Sequence, residues 1–505
     1  MLFNSGIFLF DFLPTVLLVF GLLFRYRSLE AAWMWLAAAS VFFYGWWNPA
    51  HIPLLLGSVC ANFWLGKRLA DRSHSTHGWL LAGGVIVNLG LLGFFKYWNF
   101  FASNVALVFG LEWHSTPLEL PLGISFYTFH QLTYLWHCKA GRAGGTTFRH
   151  YLLYVTFYPQ LIAGPIVRPM ELLPQLQEAR SSAFRWNDLS LGFTLLAFGL
   201  FKKMVIADHV AGWVSPVFDQ PIPTNGIQLM DAWVASLAYT LQLYFDFSAY
   251  SDMALGLAKM LGLGLPGNFF SPYKATSITD FWRRWHITLS LFLRDYLYIP
   301  LGGNRLGEPR RYFNLILVMT VGGFWHGAGW TFGLWGLLHG TCLAINHGWH
   351  KWGRIRLGVP ISWTVTFLSV VAGWVLFRSP SIETAGSILK ACVGGSGFSI
   401  PSGWISRLPF LEAIGVTANS DWIVFSGPGQ ILAILGLLIF TLISPNALQL
   451  TASAFQPPNE ASLPQPRAST LQWKPNLLWA LFTALLFAIS LLHLGQLSEF
   501  LYFQF

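Results

Sequence analysis

The sequence predicts an all-α polytopic membrane protein, a transmembrane bundle of about ten to twelve spanning or re-entrant helices. Three observations carry this. Of 505 residues, 54% are hydrophobic and 17% aromatic, while only 10% are Asp, Glu, Lys or Arg; a soluble domain carries about 25%. Mean hydropathy is +0.52. Apolar runs recur from Ile7 to Leu492 and basic residues gather between them. A disordered chain, a coiled coil and a secreted disulfide scaffold are excluded.

The first run, Phe8 to Phe24, has no basic segment before it and no small-residue cleavage site after it, so it reads as a retained helix, not a cleaved signal. It ends in Arg25-Tyr26-Arg27, and positive residues mark cytoplasmic loops; the N-terminus is therefore expected outside. Later loops alternate accordingly. Ala31 to Trp47 leads to the uncharged Asn48-Pro49-Ala50, Ile52 to Leu65 to the basic stretch from Lys67 to His77, and Trp79 to Phe95 to the segment around Glu112. Leu120 to Trp136 then returns to Lys139, Arg142 and Arg149.

Tyr151 to Val167 contains Pro159, Gly164 and Pro165 and has basic residues at both ends. That combination predicts a re-entrant hairpin, since irregular backbone at membrane depth must be buried or line a wet cavity. Further runs are Leu189 to Phe201, Leu229 to Leu243, Phe313 to Phe324, Trp330 to Ile345, Trp363 to Phe377, Ile431 to Ile443 and Leu477 to Leu492. The chain divides into a core, 1–378, and a C-terminal part, 379–505. Polar stretches at 394–428 and 444–475 in the latter are expected to lie outside the apolar body as loops.

The formal charge is +9, from 30 Lys+Arg and 21 Asp+Glu. Cytoplasmic loops account for the excess, and no basic run is patterned for a phosphate backbone, so nucleic acid is not a partner; the lipid bilayer is. Cys60, Cys138, Cys342 and Cys392 are scattered without a CxxC pair, which points to neither zinc nor disulfides.

Ionisable residues within a membrane are costly and mark function. They cluster between Asp246 and His339. Asp246 and Asp252 sit among aromatics in Leu243-Tyr244-Phe245-Asp246-Phe247-Ser248-Ala249-Tyr250-Ser251-Asp252. If Phe281 to Tyr298 is one helix, His286, Ser290 and Arg294 recur at i, i+4 and i+8 along one face. Such a polar stripe suits a wet passage for an anionic or thioester-bearing ligand, with Arg283 and Arg284 near one mouth. The alternative is an interfacial helix whose arginines snorkel to headgroups.

His326 lies among aromatics and glycines in Gly322-Gly323-Phe324-Trp325-His326-Gly327-Ala328-Gly329-Trp330, and His339 follows in Trp335-Gly336-Leu337-Leu338-His339-Gly340. Apolar surroundings favour a neutral imidazole, able to take a proton from a hydroxyl as general-base catalysis requires; a buried histidine satisfied by a neighbouring helix is the plainer reading. No paired histidines with a carboxylate suggest a metal, and no GxSxG elbow suggests a serine nucleophile.

At these same residues the chain resembles the membrane-bound O-acyltransferase superfamily, in its bacterial alginate O-acetylase-like branch. The shared motifs are Pro121-Leu122-Gly123-Ile124-Ser125-Phe126-Tyr127, Ala163-Gly164-Pro165-Ile166, Tyr244-Phe245-Asp246-Phe247-Ser248, Asp280-Phe281-Trp282-Arg283-Arg284-Trp285-His286, Leu301-Gly302-Gly303-Asn304-Arg305, Gly323-Phe324-Trp325-His326-Gly327 and Trp335-Gly336. The resemblance implies helices ringed around a central funnel, with His326 catalytic and His286 its companion. Asp246, Arg283, Arg284, Ser290, Arg294 and His339 would then line the donor path.

It also implies acetyl-CoA as a donor substrate with no bound cofactor, and a multi-pass place in the bacterial inner membrane. The implied partner is an extracytoplasmic SGNH hydrolase-like acetyltransferase that modifies an exported polysaccharide such as alginate or cellulose. D-alanyl transfer to an envelope polymer is the alternative inside the superfamily, and a polysaccharide or solute transporter the alternative outside it.

Overall fold

Within a bilayer every backbone N–H and C=O must pair inside its own segment, so apolar runs fold as helices. The protein was analysed as a computed structural model, which describes residues 1–505 apart from 27, 72–76, 117, 179–184, 225, 354, 408–409, 414, 420, 460–461, 465–468, 496–499 and 502–505. The first helices are α1 (Leu13–Tyr26), α2 (Leu29–Gly45), α3 (Ile52–Ala70), α4 (His77–Leu92) and α5 (Trp98–Val108). Ser28 caps α2 by accepting from the Ala31 N–H. A π-helical segment, Ile7–Phe12, leads into α1, and another, Gly93–Tyr97, joins α4 to α5. The basic loops meet on one face, where Arg149 lies 3.6 Å from Glu30 and Lys67 donates to the Gly144 carbonyl.

α6 (Ile124–Lys139) is followed by α7 (Phe148–Thr156) and the single turn α8 (Tyr158–Leu161). Between them the chain breaks at Phe157, just before Pro159. The chain turns back here: the Tyr154 hydroxyl donates to the Val167 carbonyl at 2.9 Å, which brings the two ends of the proline-containing stretch together. Then come α9 (Pro169–Glu178), α10 (Trp186–Leu200) with a π-helical extension Phe201–Ala207, the short α11 (Asp208–Ala211) and α12 (Ser215–Phe218), and α13 (Leu229–Met260). At 32 residues, α13 is about 48 Å long.

After α13 the expectation of one helix from Phe281 to Tyr298 fails. α14 (Ile278–Trp282) stops, and α15 (Ile287–Leu293) begins anew from His286, whose φ of 42° is left-handed. The break turns His286 off the face it would have shared with Ser290 and Arg294. Its cause is tertiary, because the Asn268 carbonyl takes the Ile287 N–H and the Arg284 carbonyl takes the Phe270 N–H.

α16 (Glu308–His326) and α17 (Trp330–Trp352) pack backbone against backbone. A Cβ at Gly323 would overlap the Phe332 carbonyl oxygen, and one at Gly336 the Met319 carbonyl oxygen. This is the small-residue packing that lets membrane helices approach closely. α18 (Val359–Arg378) and α19 (Ile382–Cys392) complete this group.

The C-terminal part holds α20 (Ser402–Ile405), α21 (Phe410–Ala413), α22 (Pro428–Ile443), α23 (Ala447–Thr451), α24 (Leu477–Leu491) and a two-stranded parallel pair, β1 (Ser399–Pro401) with β2 (Thr417–Asn419). Described residues of both polar stretches are anchored to the core at a few points. The buried Asp231 carboxylate accepts the N–H groups of Ile423, Val424 and Phe425. The Asn459 side chain pairs with both backbone groups of Gly267, and the Trp473 indole donates to Thr194. Composition pointed outward, but a few buried anchors decide the placement.

Among the described residues, four helical stretches are long and apolar enough to cross a membrane: Ile7–Tyr26, Gly78–Val108, Trp186–Ala211 and Val359–Arg378; Leu29–Gly45, Pro428–Ile443 and Leu477–Leu491 are shorter apolar helices. The protein is an all-α, multi-pass membrane protein. Its buried apolar residues form two clusters, one holding Phe129, Leu289, Phe292 and Trp325, the other Phe247, Trp285, Trp335 and Phe377. Side chains of both clusters border one pair of histidines.

Candidate active site

His286 is fully buried and its orientation is set by Asn268. The Asn268 Oδ1 lies 3.2 Å from the His286 Nδ1, while accepting from the Thr288 N–H at 3.2 Å and the Thr288 hydroxyl at 2.9 Å. A backbone N–H only donates, so the amide atom facing it is oxygen, and Nδ1 of His286 must carry the proton. Nε2 is left as the acceptor nitrogen. Thr288 in turn accepts from the Ile166 N–H at 3.0 Å, which ties the returning limb of the hairpin to the same node. Phe247 stands edge-on to the imidazole at 4.8 Å between ring centroids.

His326 is the last residue of α16. Its ring centroid is 6.2 Å from that of His286 and 4.9, 5.2 and 5.2 Å from Trp325, Trp335 and Phe377. The closing carbonyls of a helix have no partner within it. Here they are met from another helix: Lys96 donates its ammonium to the carbonyls of Trp325 and His326 at 2.7 and 2.8 Å, and the Tyr97 hydroxyl donates to that of Phe324 at 2.8 Å. Gly327 beyond is extended, so the histidine sits at a fixed terminus.

The other sequence-derived residues do not join this pair. His339 is buried behind Trp335, whose indole lies 4.9 Å from it, and its Nδ1 accepts from the Trp282 indole at 3.3 Å. Asp246 belongs to an interior charge network, 2.8 Å from the Lys203 ammonium, which also meets Asp208 at 2.9 Å; its second oxygen accepts the Leu501 N–H. Arg284 is held by Asp280 at 2.9 Å, Arg294 by Asp295 at 2.6 Å, and Arg283 is exposed. The Ser290 hydroxyl turns back to the Trp285 carbonyl at 3.5 Å. Among the described residues, no three His, Cys, Asp or Glu side chains are grouped to hold a metal.

Two buried imidazoles inside an aromatic box, with one tautomer fixed, are equipped for proton transfer to or from a hydroxyl. Sequence reasoning missed Asn268, Lys96 and Tyr97. Asn268 carries no charge to draw notice. Lys96 did carry a signal, a lone cation inside a long apolar run, but the run was expected to end at Phe95.

A model of the membrane-bound O-acyltransferase family, MBOAT, matches residues 101–377. The chain is 39% identical to the peptidoglycan O-acetyltransferase of Helicobacter pylori, covering 87% of this chain and 88% of that one. It is 37% identical to the probable alginate O-acetylase AlgI of Pseudomonas aeruginosa over the full length of both. Similarity to the teichoic acid D-alanyltransferase of Bacillus subtilis is lower, 26% over 63% of this chain and 81% of that one.

Proposed function

The chain belongs to the membrane-bound O-acyltransferase family, in its alginate O-acetylase-like branch, and from that premise we propose that it passes acetyl groups from cytoplasmic acetyl-CoA across the bacterial inner membrane, with its N-terminus outside, to an exported glycan. It is a membrane O-acyltransferase that acts on a polymer. Alginate and peptidoglycan, the polymers in the relatives' names, are both hydroxyl-bearing glycans, and the acceptor is of this class. An extracytoplasmic SGNH hydrolase-like partner hands the acetyl group to it.

The observation that carries the mechanism is the approach of His286 and His326 in a buried aromatic box. His326 takes the proton of the incoming hydroxyl. The oxygen attacks the thioester carbonyl, the new C–O bond forms and the C–S bond breaks. The proton then passes from His326 to the departing thiolate, leaving free CoA and an acetyl ester. His286, with its acceptor nitrogen fixed by Asn268, orients the reacting groups; such positioning and general-base terms contribute about 10²–10⁴-fold to a rate.

The test is acetyl transfer from labelled acetyl-CoA by the purified protein in detergent, beside NMR of the envelope glycans from a deletion strain. Wild-type protein should transfer label, and His326→Ala should abolish transfer. Wild-type protein inert toward acetyl-CoA but active with another acyl donor would overturn the donor; an active His326→Ala variant would overturn the base.

A further inference from the structure

Three hydrogen bonds cross from the π-helical segment Gly93–Tyr97 to the last turn of α16. Lys96 takes two consecutive carbonyls, those of Trp325 and His326, and Tyr97 takes the carbonyl of Phe324. The Lys96 ammonium also lies 6.0 Å from the Trp325 ring centroid. Each bond has a separate physical reason. Helix-end carbonyls left bare in a water-poor interior are costly, and a cation at a helix C-terminus is favoured by the helix dipole.

The local backbone is unusual in a way that serves the same end. Adjacent residues of an α-helix point about 100° apart, yet Lys96 and Tyr97 both reach one neighbouring helix terminus. The π turn between α4 and α5 accommodates this, and such turns recur at functional sites. Lys96 is half-buried and stands in a stretch of apolar residues. The Lys96 contacts are made at the backbone of the histidine itself, not at a distant part of α16.

We propose that Lys96, assisted by Tyr97, is a positioning residue for acyl transfer: it latches the end of α16 so that the His326 imidazole is held in register with His286. The latch contributes nothing to donor binding and acts only through His326. This rests on the acyl-transfer reading above.

The test compares wild-type protein with Lys96→Met, Lys96→Arg and Tyr97→Phe, each purified in detergent, by steady-state acetyl-CoA kinetics. Lys96→Met is expected to lower kcat about thirtyfold or more with KM little changed, the pattern of an interaction realised in the transition state. Lys96→Arg, which keeps charge and donors, should recover part of that loss, and Tyr97→Phe should lose several-fold. Wild-type kcat in Lys96→Met, or a raised KM at unchanged kcat, overturns the latch. If Lys96→Met yields no folded protein, the other two decide: reduced kcat at constant KM in both supports the proposal, and wild-type kcat in both overturns it. An inert wild type defeats the acetyl-CoA reading instead, so the two failures are distinguishable.

Discussion

The imidazoles of His286 and His326 lie 6.2 Å apart between ring centroids and are inclined by 59°, although one opens α15 and the other closes α16. Each is held by a residue from a third place in the chain, His286 by Asn268 and His326 by Lys96. The pair is thus a product of tertiary structure, and its supports are as testable as its members.

Asn268→Ala removes the acceptor that fixes the His286 tautomer and leaves the Thr288 N–H without that partner. We expect kcat/KM to fall about ten- to a hundredfold, that is about 1.4–2.7 kcal/mol of transition-state stabilisation. Acetyl-transfer kinetics with unchanged folding by circular dichroism would establish it; an unaffected rate would sever Asn268 from His286 function.

His339 should behave differently from His326. His339→Phe deprives the buried Trp282 indole of its acceptor at a cost of about 1–3 kcal/mol, seen as a lower melting temperature in detergent. Turnover of the folded fraction should stay within about threefold of wild type. A complete loss of turnover in well-folded protein would move His339 into the chemistry.

Gly336→Ala places a methyl group against the Met319 carbonyl where α16 and α17 touch. Overpacking of this kind costs about 1–3 kcal/mol and shifts the helix that carries His326, so both stability and activity should drop. Gly436→Ala in α22 has open space around the new Cβ and serves as the control, with both properties unchanged.

Lys203 sits between Asp208 and Asp246, its side chain only 2% exposed and that of Asp246 3%. Lys203→Met leaves the buried Asp246 carboxylate and the half-buried Asp208 carboxylate without their shared cation and should destabilise the protein by about 3–5 kcal/mol. Lys203→Met combined with Asp246→Asn should restore part of the loss, because coupled residues are not additive. Thermal unfolding of the two variants settles this, equal melting temperatures being the adverse outcome.

Much of the fold was legible in the sequence because the bilayer simplifies it: apolar runs became helices, and the hairpin announced itself through Pro159, Gly164 and Pro165. The two histidines were legible through their motifs. What misled was periodicity at His286, where i, i+4, i+8 spacing suggested one helix. Asn268, distant from that spacing, imposes a left-handed turn that no local propensity encodes. The anchor points within 394–428 and 444–475 escaped for a related reason. Their average composition is polar, while Phe425, Asn459 and Trp473 each bury in a place that only the folded core provides.

The site also imposes an order on biogenesis. Ile166, the α13–α15 connection that carries Asn268 and His286, and His326 come from separate parts of the chain, and the carbonyl of the last is met by Lys96, which precedes the stretch 101–377 matched by the family. While the chain is still being threaded into the bilayer, the early helices carry a half-buried lysine and a tyrosine whose carbonyl partners lie 227 to 230 residues further along the chain. The end of α16 is therefore closed only once the late helices have packed against the segment Gly93–Tyr97.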